Sequence, residues 1–302
     1  MAKLKPWRAK PKIQSALCED PREDKAADDL AKYSPEIDFT KFQPPDYETL
    51  KRFARRSSSL SPGLDGLPYY AWATREKCTE TLWDVMCYML NGGIFPDESN
   101  ATVQAFLPKG DEPEDSEHSG CHRDPSKVRV LGLRNTSLKI ISSTMNAATA
   151  TVAAEVVPAS QRGFVHRRNF GYNILELDVE SRIASADPDA RDLMPVLVSL
   201  DIAQAFPSFA RPFTRLALQA MGAPVAVINF FDSMYHNILA MAPCAGTYVP
   251  LFYVRPGIIQ GCGWSGTPFA MGTASFLLHL SQKMFPKCYL ITTLPPAPTV
   301  IT

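Results

Sequence analysis

Two short segments hold the residue types that nucleotide chemistry requires. The first, Val196-Leu-Val-Ser-Leu-Asp201-Ile-Ala-Gln-Ala-Phe206, is an apolar run that ends on a carboxylate, with an aromatic ring five positions later. The second, running from Gly257 to Pro268, is a glycine-rich turn that opens into an apolar stretch. Carboxylates bind divalent cations, and glycine lets the backbone approach a ligand closely. The aspartate is therefore a candidate cation ligand and the glycine-rich turn a candidate ligand-binding segment, although a lone aspartate at a strand end also serves as a helix cap.

The composition is that of a globular protein, but the net charge does not identify what the protein binds. The 302 residues are 45% hydrophobic, which is enough for a substantial core, and 31 basic side chains balance 31 acidic ones. Residues 202–302 contain five Lys and Arg but a single acidic residue, Asp232. We therefore expect this part of the chain to attract phosphate mildly.

The cysteines and the termini predict an intracellular protein, in the nucleus or the cytoplasm. Seven scattered cysteines without a C-x-x-C pair favour a reducing compartment. The group His118, Cys121 and His122 lacks further ligands at zinc spacing, so we do not assign it a metal. The basic N-terminus has no apolar segment typical of a secretory signal, and no stretch reaches the length of about 20 apolar residues that a membrane helix needs.

The elements that must position these motifs alternate between helix and strand. Periodicity and Gly or Pro punctuation predict strands over residues 101–107, 128–133, 196–200 and 247–254. The first two strands would form a hairpin with a long polar tip. Helices are predicted over 46–56, 74–90, 137–157, 169–186, 212–221, 224–239 and 268–285. The sequence thus predicts an α+β protein with an antiparallel sheet packed against helices.

The order of six motifs resembles the reverse transcriptase domain of non-LTR, LINE-type retrotransposons. In this sequence they read Ser61-Pro-Gly-Leu-Asp-Gly66, Phe106-Leu-Pro-Lys109, Arg129-Val-Leu-Gly-Leu-Arg-Asn-Thr-Ser-Leu-Lys-Ile140, Gln161-Arg-Gly-Phe164 with Arg168, Asp201 to Phe206, and Gln260-Gly261. The resemblance implies right-hand polymerase fingers and a partial palm. It divides the chain into a flexible extension (1–45), a fingers-like region with the start of the palm (46–195), a partial palm (196–285) and an irregular tail (286–302).

The resemblance also implies a role for each matching residue in an RNA-directed DNA polymerase. Asp201 would bind one of two Mg²⁺ ions that clamp the attacking and leaving oxygens of a dNTP. Phe206 would lie beneath the sugar and exclude a 2′-hydroxyl, while Gln260 and Gly261 would pack against the incoming nucleotide. Lys109 and Arg129 would neutralise the triphosphate, and Arg168 would contact the phosphates of an RNA template paired with a DNA primer. Phe206 is also a reasonable core residue, and the three basic residues are also reasonable surface charges.

Three departures from the family pattern indicate a catalytically incomplete chain. Pro207 and Ser208 follow Phe206 where the family commonly has an aspartate, and Gly263-Trp264 replaces the family's proline and leucine, which we expect to alter the nucleotide pocket. The family's [FY]-x-D-D hairpin is absent, because residues 286–302 contain no Asp or Glu. One carboxylate does not hold two metal ions, so we expect a truncated polymerase fragment that is inactive alone.

Two other functions remain open from the sequence. A non-catalytic nucleic-acid-binding fragment would have the same motifs without catalysis. A dinucleotide-binding oxidoreductase is suggested by Gly261-Cys-Gly-Trp-Ser-Gly266, which fits G-x-G-x-x-G. That fingerprint also needs an acidic residue about 20 positions later for the ribose, and this chain has lysines in that region instead.

Overall fold

A computed structural model describes residues 23–55, 62–97, 99–110, 123–186, 202 and 204–283. These residues form an α+β fold of ten helices, four strands and two short 3₁₀ turns. The helices are α1 (Glu23–Tyr33), α2 (Tyr47–Arg55), α3 (Tyr69–Ala73), α4 (Glu76–Leu90), α5 (Thr136–Val156), α6 (Gly171–Ala186), α7 (Ala205–Ser208), α8 (Arg211–Ala220), α9 (Val225–Tyr235) and α10 (Gly266–Lys283). The strands are β1 (Thr102–Pro108), β2 (Val128–Leu133), β3 (Ile238–Cys244) and β4 (Thr247–Val254).

The four strands form one mixed sheet with the order β2-β1-β3-β4. β1 and β2 pair antiparallel with Leu107 opposite Arg129, as the predicted hairpin requires. β3 and β4 form a second antiparallel pair, and β1 joins β3 in parallel. The prediction of an antiparallel sheet is therefore wrong at its centre, because two hairpins meet through a parallel contact.

The strand β3 is the main element that the sequence prediction missed. The apolar pattern predicts a helix over 224–239, but α9 ends at Tyr235 and the chain turns at Asn237, whose φ of 36° lies in the left-handed region. The chain then enters β3, where Met241 pairs with Val103 of β1. Short apolar runs fit either a helix or a buried strand, and here the pairing with β1 decides between them.

Local signals fix several helix ends as predicted. The Asp46 carboxylate accepts a hydrogen bond of 2.8 Å from the backbone N–H of Thr49 and so caps α2. Pro212 occupies the first turn of α8, where its missing N–H costs nothing. These ends depend on neighbouring residues, so the sequence alone predicts them well.

The helix α1 lies within residues 1–45, where the sequence predicts a flexible extension, and residues 23–33 pack against the rest of the protein. Leu30 and Tyr33 are buried, and the ring of Tyr33 meets His279 of α10 edge-on at 4.2 Å. The hydroxyls of Ser34 and Ser275 lie 2.9 Å apart. Apart from Leu30, Tyr33 and three alanines, the residues of α1 are charged, so its order depends on packing against α8 and α10.

One hydrophobic core runs across the predicted boundary between the fingers-like and palm-like regions. Its fully buried side chains come from α2, α4 and α5 on one side of that boundary and from α9 and α10 on the other. Representative members are Leu50, Met86, Ile141, Phe230 and Ala274. Both groups of motifs are therefore held by one packed body.

The helix α6 lies at the margin of this core. Asn173 is its only buried residue, whereas Ile174, Leu175, Val179 and Ile183 are more than half exposed. Residues 187–201 follow α6, so the predicted strand over 196–200 lies outside the described residues. Across the described part of the chain, the helices are too short or too polar to cross a membrane.

Candidate nucleotide site

The predicted site residues fall into three groups in the structure. Asp201 lies outside the described residues, as do His118, Cys121 and His122. Phe206, Gln260 and Gly261 come together at one place. Lys109, Arg129 and Arg168 each have their own surroundings, which are described below.

Phe206 is the centre of an aromatic cluster, here called the Phe206 cluster, made up of Phe164, Phe206, Phe209 and Phe269. Its ring stacks on Phe269 of α10 with centroids 4.5 Å apart and planes only 10° from parallel. Phe164 meets it edge-on at 5.2 Å, and Phe209 lies 5.0 Å from Phe269. Offset stacking and edge-to-face contacts are the favoured arrangements of aromatic rings. Phe206 is therefore held rigidly, and it remains half-buried rather than enclosed.

The turn from Gly257 to Gly261 joins this cluster to the sheet. The backbone N–H of Ile258 donates to the Phe206 carbonyl at 2.8 Å, and the N–H of Gly132 on β2 donates to the Gln260 carbonyl at 3.0 Å. Gly257 has a φ of +83°, and a Cβ there would lie 2.5 Å from the Pro207 oxygen. Gly261, at +103°, would place a Cβ 2.6 Å from the Gly132 oxygen. Only glycine fits both positions.

The Gln161 to Phe164 motif reaches the same place from the end of α5. Gln161 is buried, and its side-chain amide donates to the Gly163 carbonyl at 3.0 Å. Phe164 has a φ of 60°, an uncommon conformation for a bulky residue, and its ring covers Gly266 at the start of α10. Strained residues of this kind concentrate at functional sites. Three motifs that are distant in sequence thus converge around Phe206.

Arg129 and Lys109 lie toward the other end of the β1–β2 hairpin. Arg129 is exposed on β2, three residues before Gly132, which corresponds to about 10 Å along a strand. The Lys109 ammonium donates to the Ser126 carbonyl at 3.0 Å. Both side chains are accessible and could therefore reach a triphosphate, but their contacts with it stay predictions.

Arg168 has a clear role within the protein. Its guanidinium donates four hydrogen bonds of 2.5–2.8 Å to backbone carbonyls at and beyond the C-terminal turn of α5, those of Ala154, Val157, Pro158 and Gln161. Partial burial, with the nearby charge of Arg162, lowers the pKa of Arg168. A cation is favourable at this end of a helix because the carbonyls there carry partial negative charge. The predicted contact with template phosphate stays untested, while the local contacts give Arg168 a structural role.

Trp264 is a core residue, and the expectation that Gly263-Trp264 alters a nucleotide pocket stays a prediction. Its side chain is 1% exposed, and its indole N–H donates to the Thr149 hydroxyl of α5 at 2.8 Å. The ring meets Phe230 of α9 edge-on at 5.0 Å. The Trp264 side chain therefore packs into the core, and the surface of the Phe206 cluster is free of it.

The described residues do not supply a magnesium site. Within the described ranges, no three His, Cys, Asp or Glu side chains lie close enough to hold a metal ion together. Asp232, the one acidic residue that follows Asp201 in the sequence, accepts from Arg215 at 3.0 Å. The carboxylates of the described residues therefore do not fit the two ions that the resemblance implies.

The dinucleotide fingerprint lacks its structural context. The Gly261 to Gly266 stretch follows β4, which is an antiparallel edge strand, rather than a strand of a parallel βαβ unit. A dinucleotide fingerprint places its glycines between a parallel strand and the helix that crosses to the next one. The glycines here instead allow close packing, since a Cβ would meet the Gly132 oxygen at Gly261, the Ser143 hydroxyl at Gly263 and the Phe164 ring at Gly266.

Sequence reasoning missed two arginines near this site, the fully buried Arg134 and the partly buried Arg211. Arg134 and Arg211 both donate to carbonyls at the C-terminal end of α9, those of Met234 and Tyr235, at 3.0 and 2.9 Å. Burial lowers the pKa of Arg134 and brings that of Arg211 to about 10. No sequence signal marks them, because arginine is ordinarily a surface residue and only the tertiary fold encloses these two.

Comparison with known proteins adds no assignment. No family model matches this sequence, and no curated protein matches it significantly.

Proposed function

We propose that this chain is a fragment of an RNA-directed DNA polymerase, with the fingers and a partial palm of a reverse transcriptase of the non-LTR type. It binds nucleic acid and nucleotide but does not catalyse extension alone. The observation that carries the proposal is the convergence of three separate motifs on Phe206. Gln161 to Phe164, Asp201 to Phe206 and Gln260-Gly261 resemble the family in sequence, and the described parts of all three lie together.

The Phe206 cluster suits a nucleotide chemically. Phe164 is 42% exposed and covers one edge of Phe206, so an aromatic surface faces solvent where a sugar or base would rest. Stacking on aromatic rings is a general means of holding nucleotides. The glycine turn brings backbone groups beside that surface without side-chain bulk.

The lack of catalysis in the proposal follows from the carboxylates. Two-metal nucleotidyl transfer needs several acidic ligands that hold both ions. After Asp201 the chain has one acidic residue, Asp232, and that side chain is engaged by Arg215. We therefore assign binding of RNA template, DNA primer and dNTP to this fragment and leave catalysis to a complete polymerase.

Primer extension tests the lack of activity. The full chain is incubated with a DNA primer on an RNA template, dNTPs and Mg²⁺, and products are separated by length. We expect no extension above that of an Asp201→Asn variant. Robust extension that Asp201→Asn abolishes would show that the chain is an active polymerase and would overturn this part of the proposal.

Nucleotide selection tests the role of the Phe206 cluster. On an RNA–DNA hybrid with a single-stranded template end, we expect dNTP to bind more tightly than the matching NTP. Phe206→Ala should abolish that preference, whereas Phe276→Ala, which removes a half-exposed ring elsewhere on α10, should keep it. Hybrid affinity should fall steeply with salt, because phosphate contacts release counterions. Binding that is insensitive to salt, or selective NAD binding, would refute the polymerase assignment.

A further inference from the structure

A cleft lies beside the Gly257 turn, whose carbonyl accepts a hydrogen bond from the lining residue Arg211. Its volume is about 750 Å³, and it lies between α8, the C-terminal end of α9 and the end of β4. The acidic, basic and histidine side chains that line it are Asp97, Arg211, Arg215, Asp232, His236 and Arg255. The cleft is large enough for a phosphate group with its neighbouring atoms.

Arg211 is fixed in the wall of this cleft. Its Nε donates to the Gly257 carbonyl at 2.8 Å, and its Nη1 donates to the Tyr235 carbonyl at 2.9 Å. The Nη2 nitrogen is buried and has no hydrogen-bond partner among the described residues. Such orphaned donors are rare in proteins and call for a partner. Arg255 precedes Gly257 by two residues, so the contact through Gly257 places the Arg255 backbone close to Arg211.

The arginines that line the cleft outnumber its carboxylates by one, with Arg211, Arg215 and Arg255 against Asp97 and Asp232. Arg215 and Asp232 pair at 3.0 Å and cancel. Asp97 faces His236, with its Oδ1 3.9 Å from the imidazole Nε2. The structure records no carboxylate partner for Arg211 or Arg255 within the described ranges. The carbonyls at the C-terminal end of α9 carry a partial negative charge that offsets roughly half of one positive charge.

Arg134 adds to this excess from behind the cleft. It is 1% exposed, and it donates to the carbonyl of Met234 and to the side-chain oxygen of Asn100. Neither acceptor carries a full negative charge. Buried charges are normally paired because leaving water costs several kcal/mol or more. The cleft therefore favours an anionic ligand.

We propose that this cleft binds a phosphate group through Arg211 and Arg255. A guanidinium presents a planar fork of donors that matches phosphate geometry. Tyr253 lies on β4 two residues before Arg255, lines the same cleft and is 49% exposed, so a base attached to the phosphate has a ring to stack on. The phosphate comes either from a nucleic-acid strand or from a free anion. The inference does not require a nucleotide at the Phe206 cluster.

Two binding measurements on the full chain separate the two sources. The first titrates a fluorescently labelled single-stranded DNA 12-mer and follows its anisotropy at several salt concentrations. The second titrates inorganic phosphate by calorimetry. Arg255→Gln is the informative variant, because Arg255 is exposed and its loss does not disturb the core. Arg75→Gln is the matched control, since Arg75 is an exposed arginine at the start of α4, away from the cleft.

The expected result is that Arg255→Gln weakens binding about tenfold in at least one arm. In the DNA arm the slope of log K against log salt should also become shallower by about 0.7, which corresponds to one lost phosphate contact. Arg75→Gln should change affinity less than twofold. Loss in the DNA arm alone identifies a nucleic-acid strand, and loss in the phosphate arm identifies a free anion. The proposal is overturned if neither ligand binds, or if Arg255→Gln changes affinity no more than Arg75→Gln.

The Arg255→Gln and Phe206→Ala variants test the cleft and the proposed nucleotide site separately. Arg255→Gln leaves the rings of Phe206, Phe164 and Phe269 in place. DNA affinity that falls with Phe206→Ala, while Arg255→Gln changes neither DNA nor phosphate affinity, would support the nucleotide site and reject the cleft. The reverse pattern would support the cleft alone.

Discussion

Replacing Arg168 by methionine separates a structural role from a role in template binding. Methionine keeps the length and apolar stem of the side chain but removes the guanidinium, which donates to four backbone carbonyls. The side chain is partly exposed, so water replaces some of these bonds, and each contributes about 0.5–1 kcal/mol net. The four together stabilise the protein by about 2–4 kcal/mol. A domain of this size loses roughly 2–4 °C in melting temperature per kcal/mol.

Urea titration of Arg168→Met and Arg167→Met gives the comparison. Arg167 is the adjacent arginine, is exposed, and loses the same charge on substitution. We expect the free energy of unfolding to fall by about 3 kcal/mol for Arg168→Met and by less than about 0.5 kcal/mol for Arg167→Met. RNA affinity measured on the folded proteins should be equal for the two variants. The structural reasoning fails if Arg168→Met is as stable as Arg167→Met, and a selective loss of RNA affinity would then restore the template role.

Two further predictions concern backbone geometry and pH. Gly257→Ala should destabilise the protein by at least about 3 kcal/mol, because its Cβ would meet the Pro207 oxygen at 2.5 Å. Gly222 has a similar φ of +79° but open space around it, so Gly222→Ala should lower the free energy of unfolding in urea by only about 1–2 kcal/mol. If the two substitutions destabilise the protein equally, the steric argument is wrong. Asp46→Ala should cost about 1 kcal/mol at pH 7 through loss of the α2 cap. Hydrogen bonds from Thr49 lower the Asp46 pKa below 3.8. The stabilisation by the Asp46 cap is therefore present above pH 3.8 and is lost as the pH falls through the lowered pKa. If Asp46→Ala still destabilises the protein under strongly acidic conditions, the carboxylate cap is not the cause.

The elements that the sequence predicted well depend on contacts between residues near each other in the chain. The strand β2 and the strand β4 have the predicted bounds, and α5 and α10 lie within two residues of theirs. Capping residues, glycine ends and alternating apolar positions act over a few residues, so they can be read without the fold. The prediction failed for α1 and β3, where a partner distant in sequence provides the stabilisation.

The sequence by itself determined the α+β class, most of the helices and strands, and the residue types that resemble a polymerase. It also determined that acidic residues are scarce after Asp201, since that is a matter of composition. Only the tertiary structure decided that the Phe164, Phe206 and Gln260 segments lie together, that Trp264 points into the core, and that Arg134 and Arg211 donate to carbonyls at one helix end. The physical reason is that burial and long-range pairing depend on packing among segments that are distant in sequence. A local sequence pattern does not show which distant segment will pack against it.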